Sequence, residues 1–353
     1  MNAGSAARAL PPVDGHAPVD WGIAASTAQR LIRPGPTVPR QEADGAVRQL
    51  REMSVVAEGH VRELTGLGAD LPLLPGDVVD RPGWVQAAAA GLSALTGTAG
   101  ADGRRGVLAG TAGVQAGVVL AYLGSRVLGQ YDPFGGANGT GRLLLVAPNV
   151  VGAQRVLDVS PDDFRMWVCL HEATHRLQFT AVPWLRDHFA AEVRTLLATM
   201  DESTANLLSR LPAALRTARR RERNGTPVAL VELLQAPEQR AVLDRLIALS
   251  TLLEGHADHV MDAVGPSVVP SVTTIRARFT ARRRGGNLAD RILRALLGVD
   301  AKVRQYAHGA AFTRHVVDTV GMAGFNAVWT DPDHLPTRDE IADPAAWVRR
   351  VHG

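Results

Sequence analysis

Apolar residues recur along most of the chain at the three- and four-residue spacing of amphipathic helices. This pattern predicts helices at about Trp21–Leu31, Gln41–Thr65, Trp84–Leu95, Gly106–Leu128, Pro161–Thr180, Trp184–Leu211, Pro237–Val264 and Leu288–Val320. The clearest strand pattern is Arg142–Val146, between the glycine-rich loop Gly135–Gly141 and Pro148. That loop precedes a strand and opens no helix, so it lacks the context of a dinucleotide-binding fingerprint. The chain is predicted to be mainly α-helical with a small β element.

The Pro/Gly breaks divide the helices without isolating an independent unit, so one domain is expected over residues 19–353. Its helices would form an N-terminal lobe at about 19–135 and a second lobe at about 136–353. Residues 1–18, rich in Pro, Gly and Ala, are expected to be a disordered lead-in. The lead-in has no apolar core of the length that a secretory signal needs, and we expect a cytoplasmic protein.

One uncharged segment, Gly106–Ser125, is long enough to be considered as a membrane span. Its glycines and Gln115, together with arginines at both ends, favour a buried helix and no membrane span. Small residues at Gly110, Gly113 and Gly117 would let a second helix approach closely.

Composition narrows the range of functions. The chain has 353 residues and one cysteine, Cys169, which excludes a disulfide framework and cysteine-based metal clusters. All but one of the 38 lysine and arginine residues are arginine, and the exception, Lys302, is followed by valine, so no phosphate-binding P-loop exists. So uniform a choice of arginine indicates codon preference, and few aromatic residues interleave the basic runs. No nucleic-acid partner is expected.

The predicted helix Pro161–Thr180 has a strong start signal. Ser160 is placed as its N-cap, proline occupies the first helical position, and acidic residues follow in the first turn. Asp163, three residues after Ser160, is placed to close a capping box. Apolar residues cover nearly the whole circumference, so this helix is expected at the centre of the fold.

This helix contains the motif His171-Glu172-Ala173-Thr174-His175, an HExxH sequence. Histidines four residues apart share one helix face, so both imidazoles can bind a single zinc ion. Glu172 lies about 100° around the helix, close enough to contact a water molecule on the metal. The alternative is a pair of structural histidines, with Glu172 bonded to a neighbouring arginine such as Arg176.

A catalytic zinc ion takes three protein ligands and keeps one position open. The metzincin sequence HExxHxxGxxH is excluded, because Gln178 and Ala181 stand where it needs Gly and His. The predicted helix Pro237–Val264 offers better candidates. Glu254, on a largely apolar stripe of that helix, is the expected third ligand, and His259 is the second choice.

Asp258 lies one turn after Glu254 and points the same way. In that position it would accept the outer N–H of a ligand histidine and fix its tautomer. His256 lies about 200° around the helix from Glu254 and should face elsewhere. The alternative for Glu254 and Asp258 is an ordinary solvated acidic face.

Further distinctive segments accompany the motif. They are Trp167–Phe179 around the motif itself, Val79–Trp84, Leu128–Asp132, Val146–Asn149, Pro183–Leu185 and Lys302–Tyr306. Over about residues 19–351 the chain resembles the actinobacterial zincin-like metallopeptidase type 2 family. The resemblance implies a zincin-like, gluzincin-type fold with the HExxH helix at its core, and a zinc ion. The family label also carries an association with biosynthesis of the deazaflavin coenzyme, which implies no chemistry.

The expected function is a zinc-dependent hydrolase of an amide bond, in the first place a metallopeptidase. Zn²⁺ held by His171, His175 and Glu254 lowers the pKa of a bound water molecule, and Glu172 acts as general base. Tyr306, His259 and Tyr131 are candidates for the group that stabilises the oxyanion.

Two arginine-rich runs, at residues 216–223 and 276–284, would suit an anionic substrate such as the glutamate tail of the deazaflavin coenzyme. Such runs are usually solvated faces. Two other functions remain open. One is a non-catalytic metal-binding or partner-binding protein with the same fold. The other is a zinc hydrolase of a non-peptide amide or ester linked to deazaflavin metabolism.

Overall fold

The computed structural model describes residues 19–97, 107–136, 139–204, 237–284 and 299–353, and residues 107–109, 199–204, 282–284 and 299–307 by their backbone alone. Over these ranges the chain is mainly helical with a three-stranded sheet, which confirms the predicted fold class. The helices are α1 (Trp21–Leu31), α2 (Arg40–Thr65), α3 (Arg81–Leu95), α4 (Val107–Gly124), α5 (Ala147–Leu157), α6 (Pro161–Thr180), α7 (Leu185–Thr204), α8 (Pro237–Val264), α9 (Val272–Arg284), α10 (Val299–Phe325), α11 (Arg338–Ala342) and α12 (Pro344–His352). The strands are β1 (Asp77–Val79), β2 (Gly129–Asp132) and β3 (Arg142–Val146).

Four elements have the predicted bounds, namely α1, α6, α8 and β3. The helix predicted to run to Leu128 ends at Gly124 and is followed by strand β2, which sequence reasoning missed. Pro148 follows β3 and also lies in the first turn of α5. At that position its missing N–H costs no hydrogen bond. The predicted helix ends at residues 205–211 and 288–298 lie outside the described residues.

The sheet has the order β1-β3-β2, with β1 parallel and β2 antiparallel to β3. After Arg142, strand β3 is apolar and buried, because both of its faces are covered. Leu143 and Leu145 pack in the core with α2 and α6, whereas Leu144 and Val146 pack on the other face with α1, α3 and α4. The sheet therefore joins the N-terminal helices to the helix that carries the HExxH motif.

Helix α4 lies against α1 through its small residues, as the sequence predicts. A Cβ added at Gly113 would lie 2.7 Å from the carbonyl oxygen of Asp20, and one added at Gly117 would lie 2.7 Å from that of Ala24. Only glycine allows the two backbones to come this close. Within the described ranges, no helix is both long enough and apolar enough to cross a membrane.

Helix α6 is buried, as its apolar circumference predicts, with Phe164, Leu170 and Leu177 fully inaccessible. Ser160 caps it, and the Ser160 hydroxyl accepts from the Asp163 N–H at 3.4 Å. The second half of the predicted capping box is wrong. Asp163 Oδ2 instead accepts from the backbone N–H of Ser271 at 2.8 Å, because this turn before α9 packs against the start of α6.

Helix α8 passes beside α6 and also crosses α10 at very short range. A Cβ added at Gly255 would lie 2.1 Å from the carbonyl carbon of Gly309, and one added at Gly309 would lie 2.2 Å from the Thr251 oxygen. Both residues must therefore be glycine for the helices to cross at this point. This contact fixes the position of α8, which carries Glu254.

Candidate metal centre

The two helices with the predicted ligands bring three ligand atoms together. His171 Nε2 lies 3.1 Å from His175 Nε2, and Glu254 Oε2 lies 3.5 Å from the first and 3.9 Å from the second. Among the described residues, this is the group of His, Cys, Asp and Glu side chains whose ligand atoms meet closely enough to hold a metal ion. In tetrahedral zinc sites, ligand atoms are about 3.3 Å apart, so the triangle has the size that zinc requires.

The outer nitrogens of both histidines show why a cation fits between them. His175 Nδ1 lies 2.9 Å from Gln178 Oε1, and His171 Nδ1 lies 3.2 Å from Met261 Sδ. A thioether sulfur and an amide oxygen only accept hydrogen bonds, so both Nδ1 atoms carry the proton. Both Nε2 atoms then present lone pairs to each other at 3.1 Å. That arrangement is unfavourable without a cation and favourable with one.

The centre is reachable from solvent. The side chains of His171, His175 and Glu254 are 24%, 15% and 22% exposed. Three ligands with one accessible side are typical of a catalytic zinc site, whereas structural sites close all four positions with protein ligands.

Glu172 is buried, with 6% of its surface exposed, and lies on α6 beside the triangle. Burial, and next the charge of Glu254, raise the pKa of the Glu172 carboxyl well above its usual value. Its side chain lies against the backbone of Gly129, the first residue of β2. A Cβ at that position would be 2.5 Å from Glu172 Cγ and 2.9 Å from Oε1. Glycine is therefore required for the carboxylate to take this position.

Asp258 and His259 lie farther along α8. Asp258 Oδ1 forms an ion pair with Arg276 at 3.6 Å, and the Arg276 guanidinium also donates to the Asp258 carbonyl oxygen at 2.7 Å. The acceptor on His175 is Gln178, so for this histidine the role predicted for Asp258 is filled by another residue. His259 is not one of the three clustered ligands. Burial, and next the charge of Arg314, lower its pKa. Its role as oxyanion donor stays a prediction.

Tyr131 lies on β2, where its ring stacks on Phe179 with centroids 5.9 Å apart. Its hydroxyl is beside Gly141, where an added Cβ would be 2.1 Å away. Burial raises the pKa of Tyr131 to about 12, with Arg176 opposing the shift, so the phenol stays protonated. Tyr306 belongs to α10, but its side chain lies outside the described residues. Both assignments stay predictions.

The arginine runs bear on the predicted anionic substrate. The first, at residues 216–223, lies outside the described residues. In the second, Arg276 pairs with Asp258, and Arg278 pairs with Asp158 at 3.2 Å while donating to the Leu157 carbonyl oxygen. These two arginines thus hold α9 against the fold.

Sequence reasoning missed three residues that shape the centre, namely Gln178, Met261 and Gly129. Gln178 was noted in the sequence only as a departure from the metzincin pattern. Its position three residues after His175 is the signal that could have identified Gln178 as a partner of that histidine. Met261 belongs to the same apolar stripe as Glu254. Gly129 opens Gly129-Gln130-Tyr131-Asp132, one of the segments that carry the family resemblance.

The chain belongs to the zincin-like metallopeptidase family, whose model matches residues 19–348. Membership implies a bound metal ion, typically zinc. A similar solved structure is the crystal structure of a proposed hydrolase with a novel fold from Chloroflexus aurantiacus. It has 32% sequence identity and a TM-score of 0.66, and the match covers 94% of this chain and 98% of that one. A search of the curated proteins finds no match.

Proposed function

We propose that this protein is a zinc-dependent hydrolase that cleaves an amide bond, in the first place a peptide bond. The observation that supports it most is the convergence of His171 Nε2, His175 Nε2 and Glu254 Oε2 beside the buried carboxyl group of Glu172. Family membership and the similarity to a proposed hydrolase of known structure point in the same direction.

The residues of the centre have different roles. His171, His175 and Glu254 hold the metal ion and leave one side accessible to substrate. A zinc ion bound there would supply a Lewis acid and a water molecule of lowered pKa. Glu172, held in place by Gly129, accepts the proton of the attacking water and passes it to the leaving amine. Burial raises the pKa of this carboxyl group above its usual value, which makes it a stronger base than an exposed carboxylate.

The ligand set is tested by elemental analysis of purified wild type, Glu254→Ala and Glu238→Ala. Glu238 is an exposed acid at the start of the same helix and serves as the matched control. We expect about one zinc ion per chain in wild type and in the control, and a clear loss in Glu254→Ala. No zinc in metal-replete wild type would overturn the proposal. Full retention in Glu254→Ala would move the third ligand, with His259 next to be tested.

Catalysis is tested by Glu172→Gln in a screen of peptides, non-peptide amides and esters, the deazaflavin coenzyme among them. We expect this variant to keep its zinc and to lose about 10²- to 10⁴-fold in rate, because the general base is gone. A variant that hydrolyses the best substrate as fast as wild type would refute the role of Glu172. A wild type that binds zinc and hydrolyses nothing would favour a non-catalytic metal-binding protein.

A further inference from the structure

Gln178 lies at the point where α6 meets α8, and it is fully buried. Its Oε1 is 2.9 Å from His175 Nδ1, and its Nε2 is 2.9 Å from the Leu253 carbonyl oxygen. The same Nε2 is 3.0 Å from His256 Nδ1. One amide group therefore contacts a metal ligand, the residue just before Glu254, and a second buried histidine.

Chemistry fixes the orientation of this amide. A backbone carbonyl oxygen only accepts hydrogen bonds, so the atom facing Leu253 is the NH₂ group of Gln178. The atom facing His175 is then the amide oxygen, and His175 must donate from Nδ1–H. That tautomer leaves the Nε2 lone pair directed at the metal position. His256 accepts at Nδ1 from the same NH₂ group and carries its own proton on Nε2.

The amide also ties the second helix in place. Leu253 precedes Glu254, so its bond to Gln178 holds the α8 backbone beside the third ligand. His256 is fully buried, with its ring stacked on Phe325 at 5.1 Å and next to Trp329 at 5.4 Å. The network thus runs from the C-terminal end of α10, through His256 and Gln178, to His175. The Gln178 amide has both its oxygen and its NH₂ group paired in this buried network, and each misaligned bond is costly in a dry site.

We infer that Gln178 is a positioning residue that sets the tautomer of His175 and fixes α8 beside Glu254, so that both ligands face one metal ion. The inference rests on the proposed metal centre and adds to it a residue outside the ligand set. Partners of this kind typically change metal affinity by about 10- to 100-fold when they are removed.

Three variants test it, with zinc dissociation constants measured by competition with a chelator. Gln178→Met keeps the volume and removes every hydrogen bond, and we expect about 10- to 100-fold weaker zinc binding. Gln178→Glu keeps the acceptor for His175, so it should recover part of that loss. Thr174→Val is the control, because within the described ranges this buried side chain bonds only its own helix, at the Leu170 oxygen.

The visible spectrum of the Co²⁺-substituted proteins gives a second readout that a merely structural role would not change. We expect Gln178→Met to shift the ligand-field bands and Thr174→Val to leave them unchanged. Equal zinc affinity and equal spectra in wild type, Gln178→Met and Thr174→Val would overturn the inference. A wild type that binds no zinc would instead overturn the proposed function.

The tautomer can be read in the wild type without any variant, from long-range ¹H–¹⁵N correlation spectra of the histidine side chains. We expect the proton of His175 on Nδ1, with and without zinc. A proton on Nε2 in the metal-free protein, or a metal bond at Nδ1, would overturn the inference. This measurement decides the question even if the Gln178 variants do not fold.

Discussion

Replacing Glu58 with glutamine is expected to destabilise the fold beside the metal centre. Glu58 is 1% exposed on α2, and its carboxylate pairs with both Arg62 and Arg176, the latter at 2.6 Å. The two arginines in turn donate to the carbonyl groups of the loop Leu71–Pro75. Arg176 directly follows His175, so this cluster joins α2, the loop and the HExxH helix. Glu58→Gln keeps the shape of the side chain and leaves the buried Arg176 and the half-buried Arg62 without their counter-charge.

The size of the effect follows from burial. Removing one partner of a buried ion pair costs about 3–5 kcal/mol, and the lower end, about 3 kcal/mol, applies here because both arginines keep their carbonyl acceptors. With an unfolding entropy of about 2.1 cal/mol/K per residue, a chain of 353 residues should lose about 4 °C in melting temperature. Glu63→Gln, at an exposed position of the same helix, is the control and should shift it by less than about 1 °C.

Thermal unfolding measures the melting temperatures, and urea titration gives the free energy of unfolding of each variant. Arg176→Met and the double variant with Glu58→Gln complete a thermodynamic cycle. We expect the double variant to lose about 0.5–3 kcal/mol less unfolding free energy than the two single variants lose together, because the two side chains interact. Additive effects, or a Glu58→Gln variant as stable as Glu63→Gln, would refute the reasoning.

Three further results are expected. Gly129→Ala should displace the Glu172 carboxylate by about 1 Å and lower kcat/KM about 100-fold on the best substrate of the screen. Its zinc content should not change. Gly59→Ala is the control, because the added Cβ has open space around it. Gly255→Ala should lower the free energy of unfolding by about 1–3 kcal/mol in urea titration, because the added Cβ overlaps the backbone of α10. Free zinc at 100 times its Kd should stabilise the wild type by about 2.7 kcal/mol in thermal unfolding, and a chelator should remove this gain, with no such gain in Glu254→Ala.

Each of these results has a clear counter-result. Unchanged kinetics in Gly129→Ala would mean that Glu172 does not depend on that glycine for its position. A Gly255→Ala variant as stable as wild type would mean that α8 and α10 adjust freely at their crossing. A melting temperature that does not respond to zinc or to chelator would mean that the folded state does not bind the metal more tightly than the unfolded chain.

Long periodic segments were predictable from sequence because periodicity and end signals agree. Helix α6 has a capping serine, proline in the first turn and an apolar circumference, and both of its ends were predicted at the right residue. Strands β1 and β2 were missed because runs of three or four residues carry no measurable alternation. Their pairing with β3 depends on tertiary contacts, so no local pattern marks them.

The sequence supports the individual candidate ligands to different degrees. His171 and His175 lie on one helix, so spacing alone places them on one face. Glu254 lies on another helix, 79 positions after His175, and only its place on an apolar stripe suggested that it faces inward. Gln178 was beyond this reasoning, because its role depends on two partners, Leu253 and His256, from the facing helix.

The register between α6 and α8 determines whether the three ligands form one site. Shifting α8 by one residue would move its side chains by about 1.5 Å along the helix axis and about 100° around it, which would carry Glu254 out of the triangle. Contacts on both flanks hold the register, since Gln178 bonds the residue before Glu254 and Met261 contacts His171. Gly255 adds a third constraint, because its contact with α10 allows no side chain. Packing between the two helices is therefore sufficient to place Glu254 beside the two histidines.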